Sequence, residues 1–180
     1  DEASKNAALC LACYDGSNSL VKSAIEHNIN TVNSSSMGRL FDAVAAVLDI
    51  CHYNTYEGEC AIALERTARK AGTAFELTPT LSPKAIIEEI KNANAPKEEI
   101  ALGFHHMLAS LIMNIAKKYN AKQVTLSGGC FNNRILTEQT FELLKQNNIK
   151  VYINNKVPSG DQGICLGQAY LAALDEQEEG

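Results

Sequence analysis

Ser127-Gly128-Gly129 stands directly after the apolar run Val124-Thr125-Leu126 and before a helix-like stretch from Asn132 to Gln146. A strand, a turn with almost no side chains and a helix start, in that order, bring backbone N–H groups and the positive end of a helix dipole together, which suits phosphate or another anion. Two further glycine-acid junctions, Gly38-Arg39-Leu40-Phe41-Asp42 and Gly160-Asp161-Gln162-Gly163, are corners of the same kind. Three such corners could close around one ligand. Each also has a plain structural use. Gly128-Gly129 could be only a tight turn that lets the helix approach the sheet. Asn132 and Asn133 could cap the helix or hydrogen-bond a ribose or base, capping being the commoner use. Asp161 reads first as an N-cap worth about 1 kcal/mol, and second as a hard oxygen ligand for a divalent metal bridging to phosphate. Glu57-Gly58-Glu59 reads as an acidic first turn favoured by the macrodipole, or as a carboxylate delivered to a cleft.

Other residues with chemical potential read as structural. His105 and His106 are adjacent on a helix and diverge by about 100 degrees, so they do not share one ion. The sequence has no His-x-x-x-His pair, which argues against a transition-metal site built from this chain alone. Cys10-Leu11-Ala12-Cys13 has metal or redox spacing but no second pair at finger distance, and reads as two small helix residues. The six cysteines, Cys10, Cys13, Cys51, Cys60, Cys130 and Cys165, are spread through helical patterns without a secretory signal; reduced thiols are expected.

The elements that would hold these residues follow from periodicity and punctuation. Short helices are expected over Ser4 to Cys13 and Ser19 to His27, split by the turn Asp15-Gly16-Ser17-Asn18, with a loop from Asn28 to Ser35. Leu40, Phe41, Val44, Val47 and Leu48 mark one face of a helix beginning at Ser36. After a break at His52-Tyr53-Asn54-Thr55, a helix runs from about Glu57 to Lys70. Ala74 to Leu77 reads as a short strand, and Ser82-Pro83 starts a helix as N-cap and first residue. The longest helix spans about Pro96 to Tyr119, its stripe Ile100, Phe104, Met107, Leu108, Leu111, Ile112 and Ile115 packing across the sheet. Strand Gln123 to Leu126, the helix to Gln146, strand Lys150 to Ile153 and a helix from Gly163 to Leu174 complete the order, with a frayed acidic tail from Asp175 to Gly180. This β-α-β-α order gives a parallel pair whose carboxyl ends carry Ser127 and Ser159-Gly160-Asp161, the ligand edge of such sheets.

The totals set the class. With 180 residues, 46% apolar, 21% charged and a net charge of −5, the chain is expected to fold as one globular α/β domain, or as one half of a two-lobed unit. The basic residues are scattered rather than striped, so broad nucleic-acid binding is not expected. No apolar run reaches the roughly 18 to 20 residues of a bilayer span, and the start lacks the parts of a signal peptide. The cytoplasm is the expected compartment. The first residue is not Met, which fits a piece of a longer polypeptide.

Four blocks carry a resemblance: Ser35-Ser36-Met37-Gly38-Arg39-Leu40-Phe41-Asp42, Thr55-Tyr56-Glu57-Gly58-Glu59, Leu126-Ser127-Gly128-Gly129-Cys130-Phe131-Asn132-Asn133-Arg134, and Asp161-Gln162-Gly163-Ile164-Cys165-Leu166-Gly167-Gln168. In that order, across most of the chain, they resemble the C-terminal part of the hydrogenase maturation carbamoyltransferases, the HypF family, whose last domain is similar to the TsaD-like tRNA threonylcarbamoyltransferases. The resemblance implies a helix-rich second lobe of an actin-like ATPase fold (ASKHA) over residues 1–180, with a small parallel or mixed sheet. It implies a domain that accepts a carbamoyl-adenylate, made from carbamoyl phosphate and ATP, and passes the carbamoyl group to a C-terminal cysteine of the partner HypE. By matching positions, Gly38 and Asp42 belong to the adenosine-binding helix, Asp42 accepting from ribose hydroxyls. Ser127, Gly128 and Gly129 form the phosphate loop, Asn133 contacts the nucleoside, and Asp161 is a divalent-metal ligand. Glu57 and Gly58 match a motif of unassigned role. The family's metal-binding histidine pair lies in the preceding lobe and is matched by nothing here, so the fragment is expected to fold without catalysing. A cut edge would favour self-association. The alternatives are a tRNA threonylcarbamoyltransferase lobe and a non-catalytic nucleotide-binding or docking module.

Overall fold

The computed structural model describes residues 6–178, and the chain divides into two compact units, residues 1–111 and 112–180. The first unit is helical. It holds α1 (Ala7–Asp15), α2 (Ser19–Glu26), α3 (Met37–Val47), α4 (Glu59–Ala68), α5 (Pro83–Asn92) and most of α6 (Lys97–Lys118). Three of its helix starts have side-chain caps, the one at Ser82 as the sequence indicated. Asn6 Oδ1 accepts from Leu9 N, Asn18 Oδ1 from Leu20 N and Val21 N, and Ser82 Oγ from Ala85 N, with Pro83 in the first turn. Gly16, with φ 66°, closes α1 in the left-handed conformation that an L side chain resists. The start of the first expected helix, at Ser4, lies outside the described residues.

Helix α3 is the hub of this unit, packing against α1, α4 and α5. Its face is buried from Leu40 through Ala46. Phe41 meets Phe104 edge-to-face at 5.1 Å between ring centroids, the arrangement favoured by the ring quadrupoles. His105 is fully buried beside both rings. Its Nδ1 lies 2.7 Å from Ala101 O, and a carbonyl only accepts, so the proton is on Nδ1. Burial lowers its pKa, which keeps the imidazole neutral. His106 on the same helix is exposed, so the pair diverges as expected.

Three expectations need correction here. Ala74 to Leu77 is not a strand: Phe75 N–H donates to Glu99 O at 3.0 Å instead of to a sheet neighbour. The helix expected from Glu57 starts at Glu59, because Gly58 adopts φ 77° and cannot be its first turn. Cys51 and Cys60 are joined in a disulfide, not reduced. A pairing nine residues apart has no motif to announce it; it arises because the 52–59 turn folds back on itself. Closing a loop of that size should contribute about 2–3 kcal/mol on the chain-entropy argument. Reduction of the chain should lower its urea-unfolding free energy by that amount.

By length and mean hydropathy alone α6 would pass for a bilayer span, although its sequence is broken by His105, His106, Ser110 and Asn114. Here it is a core helix in its first half, with Ile100, Ala101, Phe104, Met107 and Leu108 buried.

The second unit is a two-stranded parallel sheet with helices. β1 (Gln123–Leu126) pairs with β2 (Lys150–Ile153) in the register Gln123 to Lys150 and Leu126 to Ile153. The connection is a 3-10 turn, Gly129–Asn132, followed by α7 (Arg134–Gln146). After β2, a 3-10 turn, Asp161–Gly163, leads into α8 (Ile164–Glu178). Leu126, Leu144, Ile149 and Ala116 make the core, with Met113, Val124, Phe131 and Val151 packed against it; the end of α6 thus meets the sheet through Met113 and Ala116 rather than through the expected stripe, whose Ile115 is exposed. The fold is therefore helix-rich α/β with a small parallel sheet, as expected. α8 continues to Glu178 where a frayed tail from Asp175 was expected; residues 179–180 lie outside the described residues. Ile164, Leu166, Tyr170 and Leu171 on α8 are exposed.

Candidate functional site

The carboxyl ends of both parallel strands meet in the second unit. β1 runs into Ser127, β2 into the segment that ends at Ser159-Gly160-Asp161. The two ends are laced together: Gly128 N–H donates to Ser159 O at 2.7 Å, Ser127 Oγ lies 3.5 Å from the same carbonyl, and Ser159 Oγ donates to Asn132 Oδ1 at 2.9 Å. A Cβ at Gly160 would stand 3.1 Å from Gln162 Oε1, the end of a flexible side chain, and in ordinary contact, 3.6 Å, with Gly129 Cα. Gly128 has φ 99° and ψ 163°, a region open essentially to glycine alone. Gly129 differs: a Cβ at this position would meet nothing within 4 Å. Folding does not require a glycine there, whereas close approach of a ligand to bare backbone does.

Two details depart from the strand-turn-helix expectation. The Gly128 N–H is committed to Ser159, so it is not a bare donor. The 3-10 turn sets α7 back, and Asn133 is the residue that caps it, its Oδ1 accepting from Leu136 N at 2.9 Å. Asp161 is exposed and opens the second 3-10 turn, while Gly160 occupies the N-cap place, so the cap reading of Asp161 is not realised. Beside the lacing, an open groove of about 690 Å³ is lined by Asn132, Arg134, Asn154, Lys156 and Ser159 among others. Arg134 is paired with Glu138, which lines the groove as well, and Phe131, Ile153, Val157 and Pro158 give it an apolar wall.

The remaining candidates are in the first unit. Gly38 and Asp42 stand one turn apart on α3, on the same face. A Cβ at Gly38 would meet nothing closer than Ser36 Oγ at 3.8 Å, so this glycine also answers no packing demand. Asp42 is only 9% exposed. Burial pushes its carboxyl above the usual carboxylate pKa, opposed by a hydrogen bond from the Asn54 side chain and by the Arg39 charge. Glu57 is exposed. Its neighbour Glu59 accepts from Thr55 N and Thr55 Oγ1 at 2.6 and 2.7 Å, and these bonds lower its pKa. The same turn buries Asn54, 5% exposed, whose Oδ1 accepts from Cys60 N–H at 2.8 Å; in the sequence it is only part of a break between helices.

Among the described residues no three His, Cys, Asp or Glu side chains gather as a metal site. Asp161 alone offers one carboxylate where a hard cation takes six or more oxygens. The described residues do not by themselves fit a divalent metal centre, and no chemical step is derived through one.

Comparison with known proteins gives a consistent answer. Residues 2–168 match the family model described as carbamoyltransferase, Kae1-like domain, second subdomain. The chain is 32% identical over 167 residues to a probable carbamoyltransferase HypF of Methanocaldococcus jannaschii, covering 84% of this chain and 22% of that protein. It is 35% identical over 162 residues to the carbamoyltransferase HypF of Rhodobacter capsulatus, covering 86% and 22%. Its fold superposes on full-length HypF in a phosphate- and nucleotide-bound form with a TM-score of 0.78 at 30% identity, over 94% of this chain and 26% of that one. The chain thus spans about a fifth of the length of these two curated relatives.

Proposed function

Because the chain belongs to the HypF carbamoyltransferase family, matching the second subdomain of its Kae1-like domain, we propose that it is the nucleotide-holding part of a carbamoyltransferase. In this reading the Ser127-Gly128-Gly129 loop receives the phosphate of an adenylate, and Asp42 accepts from ribose hydroxyls. Gly38 gives the ligand access to the backbone of α3, and Asn133 adds an amide contact while capping α7. Asp161 contributes one oxygen to a cation whose other ligands lie elsewhere. Glu57 and Gly58 carry no assigned role. Each assignment stands on its own unit and is tested by its own variant.

The chemistry is acyl transfer. A carbamoyl group on the adenylate phosphate, formed from carbamoyl phosphate and ATP, is attacked at its carbon by the C-terminal cysteine thiolate of a HypE-type partner. The new C–S bond forms, the C–O bond to phosphate breaks, and AMP leaves with the electron pair. Backbone donors near the phosphate lower the charge that the leaving group must carry.

The observation that carries this reading is the lacing of Ser127-Gly128 to Ser159 at the carboxyl ends of two parallel strands, the ligand edge of such sheets. A solved relative of 30% identity is in a phosphate- and nucleotide-bound form, which supports it. Isothermal titration of the chain and its Asp42→Ala form with ATP tests the sugar assignment. The variant should bind at least about tenfold more weakly, about 1.4 kcal/mol; unchanged affinity would remove Asp42 from the site.

A further inference from the structure

Cys51 and Cys60 are an unequal pair. Cys60, the second residue of α4, is 0% exposed, whereas Cys51, shortly after α3, is partly open to solvent. A thiol arriving from outside therefore meets the Cys51 sulfur first. The turn between the two is shut by bonds that do not involve sulfur. Asn54 Oδ1 accepts from Cys60 N–H at 2.8 Å, and Glu59 Oε2 accepts from Thr55 N and Oγ1 at 2.6 and 2.7 Å. The turn is also tied to α1: Ala8 N–H donates to His52 O at 3.3 Å, and Asn6 pairs with Tyr53 as an antiparallel bridge. These bonds keep the two Cα atoms 5.1 Å apart, inside the range a disulfide needs, with the sulfurs joined or separate. The reduced state has a partner as well. Cys51 Sγ lies 3.5 Å from Tyr53 O. A disulfide sulfur has no proton to offer that carbonyl, while a thiol S–H donates to it.

We infer that Cys51 and Cys60 form a reversible redox couple that exchanges electrons with an external dithiol through Cys51. A thiolate of the dithiol attacks Cys51 Sγ, the bond between the two cysteine sulfurs breaks, and Cys60 leaves with the electron pair and then takes up a proton. The first turn of α4 favours that leaving thiolate, since the positive end of the helix dipole lies beside residue 60. The second thiol of the dithiol then attacks the sulfur that its neighbour has bonded to Cys51. Cys51 leaves as a thiolate, is protonated, and donates to Tyr53 O. In sum two electrons and two protons pass to the pair, and the dithiol becomes a disulfide. The reverse exchange, with an external disulfide as oxidant, reseals the turn. That turn carries Glu57 and Gly58, the motif residues without an assigned role.

The test uses the intact chain and dithiothreitol, a small dithiol, with alkylation and peptide mass mapping to score each cysteine. Cys10, Cys13, Cys130 and Cys165 are mapped separately and so do not enter the reading. The Cys51–Cys60 bond should open at a rate proportional to dithiol concentration and scarcely changed by urea below the unfolding transition, because the opening is local. Circular dichroism should remain that of the folded chain, and oxidised glutathione should restore the bond once the dithiol is removed. Cys60→Ser keeps the backbone N–H that Asn54 accepts, so its turn stays held. Its Cys51 should take up a thiol from a small aromatic disulfide at least about tenfold faster than Cys60 does in Cys51→Ser. A reduction rate that stops rising with dithiol and follows global unfolding would make the bond a static staple. Labelling of Cys60 as fast as that of Cys51 would remove Cys51 as the point of entry. Either result overturns the inference.

Discussion

Gly103→Ala should destabilise the chain by about 2–3 kcal/mol, with its midpoint in urea moving to lower concentration. On helix propensity alone the sign would be the reverse, since alanine in a helix interior is favoured over glycine by about 1 kcal/mol. The packing decides otherwise. A Cβ at residue 103 would stand 2.0 Å from Phe75 O and 3.0 Å from Phe75 C. These are backbone atoms, so no rotamer change relieves the overlap. Nor can the strand of chain at Phe75 simply move away, because its N–H is bonded to Glu99 O at 3.0 Å on the same helix. Inserting even one methyl into so close a contact shifts backbone on both sides, at a cost of about 1–3 kcal/mol, in addition to forfeiting that hydrogen bond. A stability gain in Gly103→Ala would contradict this contact.

The second large effect concerns the loop after β1, where two neighbouring glycines should respond differently to the same change. Gly128→Ala places a side chain at φ 99° and ψ 163°, which costs about 1–3 kcal/mol. The loop relieves that strain by turning, and the bond from Gly128 N–H to Ser159 O is lost with it. Stability and AMP affinity should therefore fall together, the affinity by at least about tenfold. Gly129→Ala meets no atom within 4 Å and carries no positive φ. Its stability should stay within about 0.5 kcal/mol of wild type, while the added methyl obstructs a phosphate approaching the backbone, so affinity falls alone. Equal behaviour of the two variants in both assays would mean that the loop is only a turn. Urea denaturation and calorimetric titration read the two quantities.

Much of the framework was legible because local signals and packing agree. Ser82-Pro83 opens α5 with the expected cap, and the α3 face from Leu40 to Leu48 is buried nearly as its spacing required. The parallel strand pair also matches in bounds. Most of the misses depend on a partner that local patterning does not reveal. Ala74 to Leu77 has strand-like composition, but its backbone partner is Glu99 on a helix, not a neighbouring strand. Cys51 and Cys60 pair because a turn folds back, which no cysteine spacing announces. Asn54 stands in a break between helices by sequence, and only the three-dimensional turn shows it buried with its Oδ1 on Cys60 N–H. The Gly58 conformation moved the start of α4 by two residues, a local event hidden by the helix-favouring acids on either side.

The most direct measurement is calorimetric titration of the wild-type chain with AMP and with adenosine under identical conditions near pH 7.5. The two ligands differ only in the phosphate, so their affinity ratio reads the part of the site that meets the phosphate, where the Ser127-Gly128-Gly129 loop is assigned. AMP should bind at least about tenfold more tightly than adenosine, about 1.4 kcal/mol. Equal affinities, or no binding of either ligand, would contradict the assignment of this loop as a phosphate receiver and with it the nucleotide-holding role of the chain.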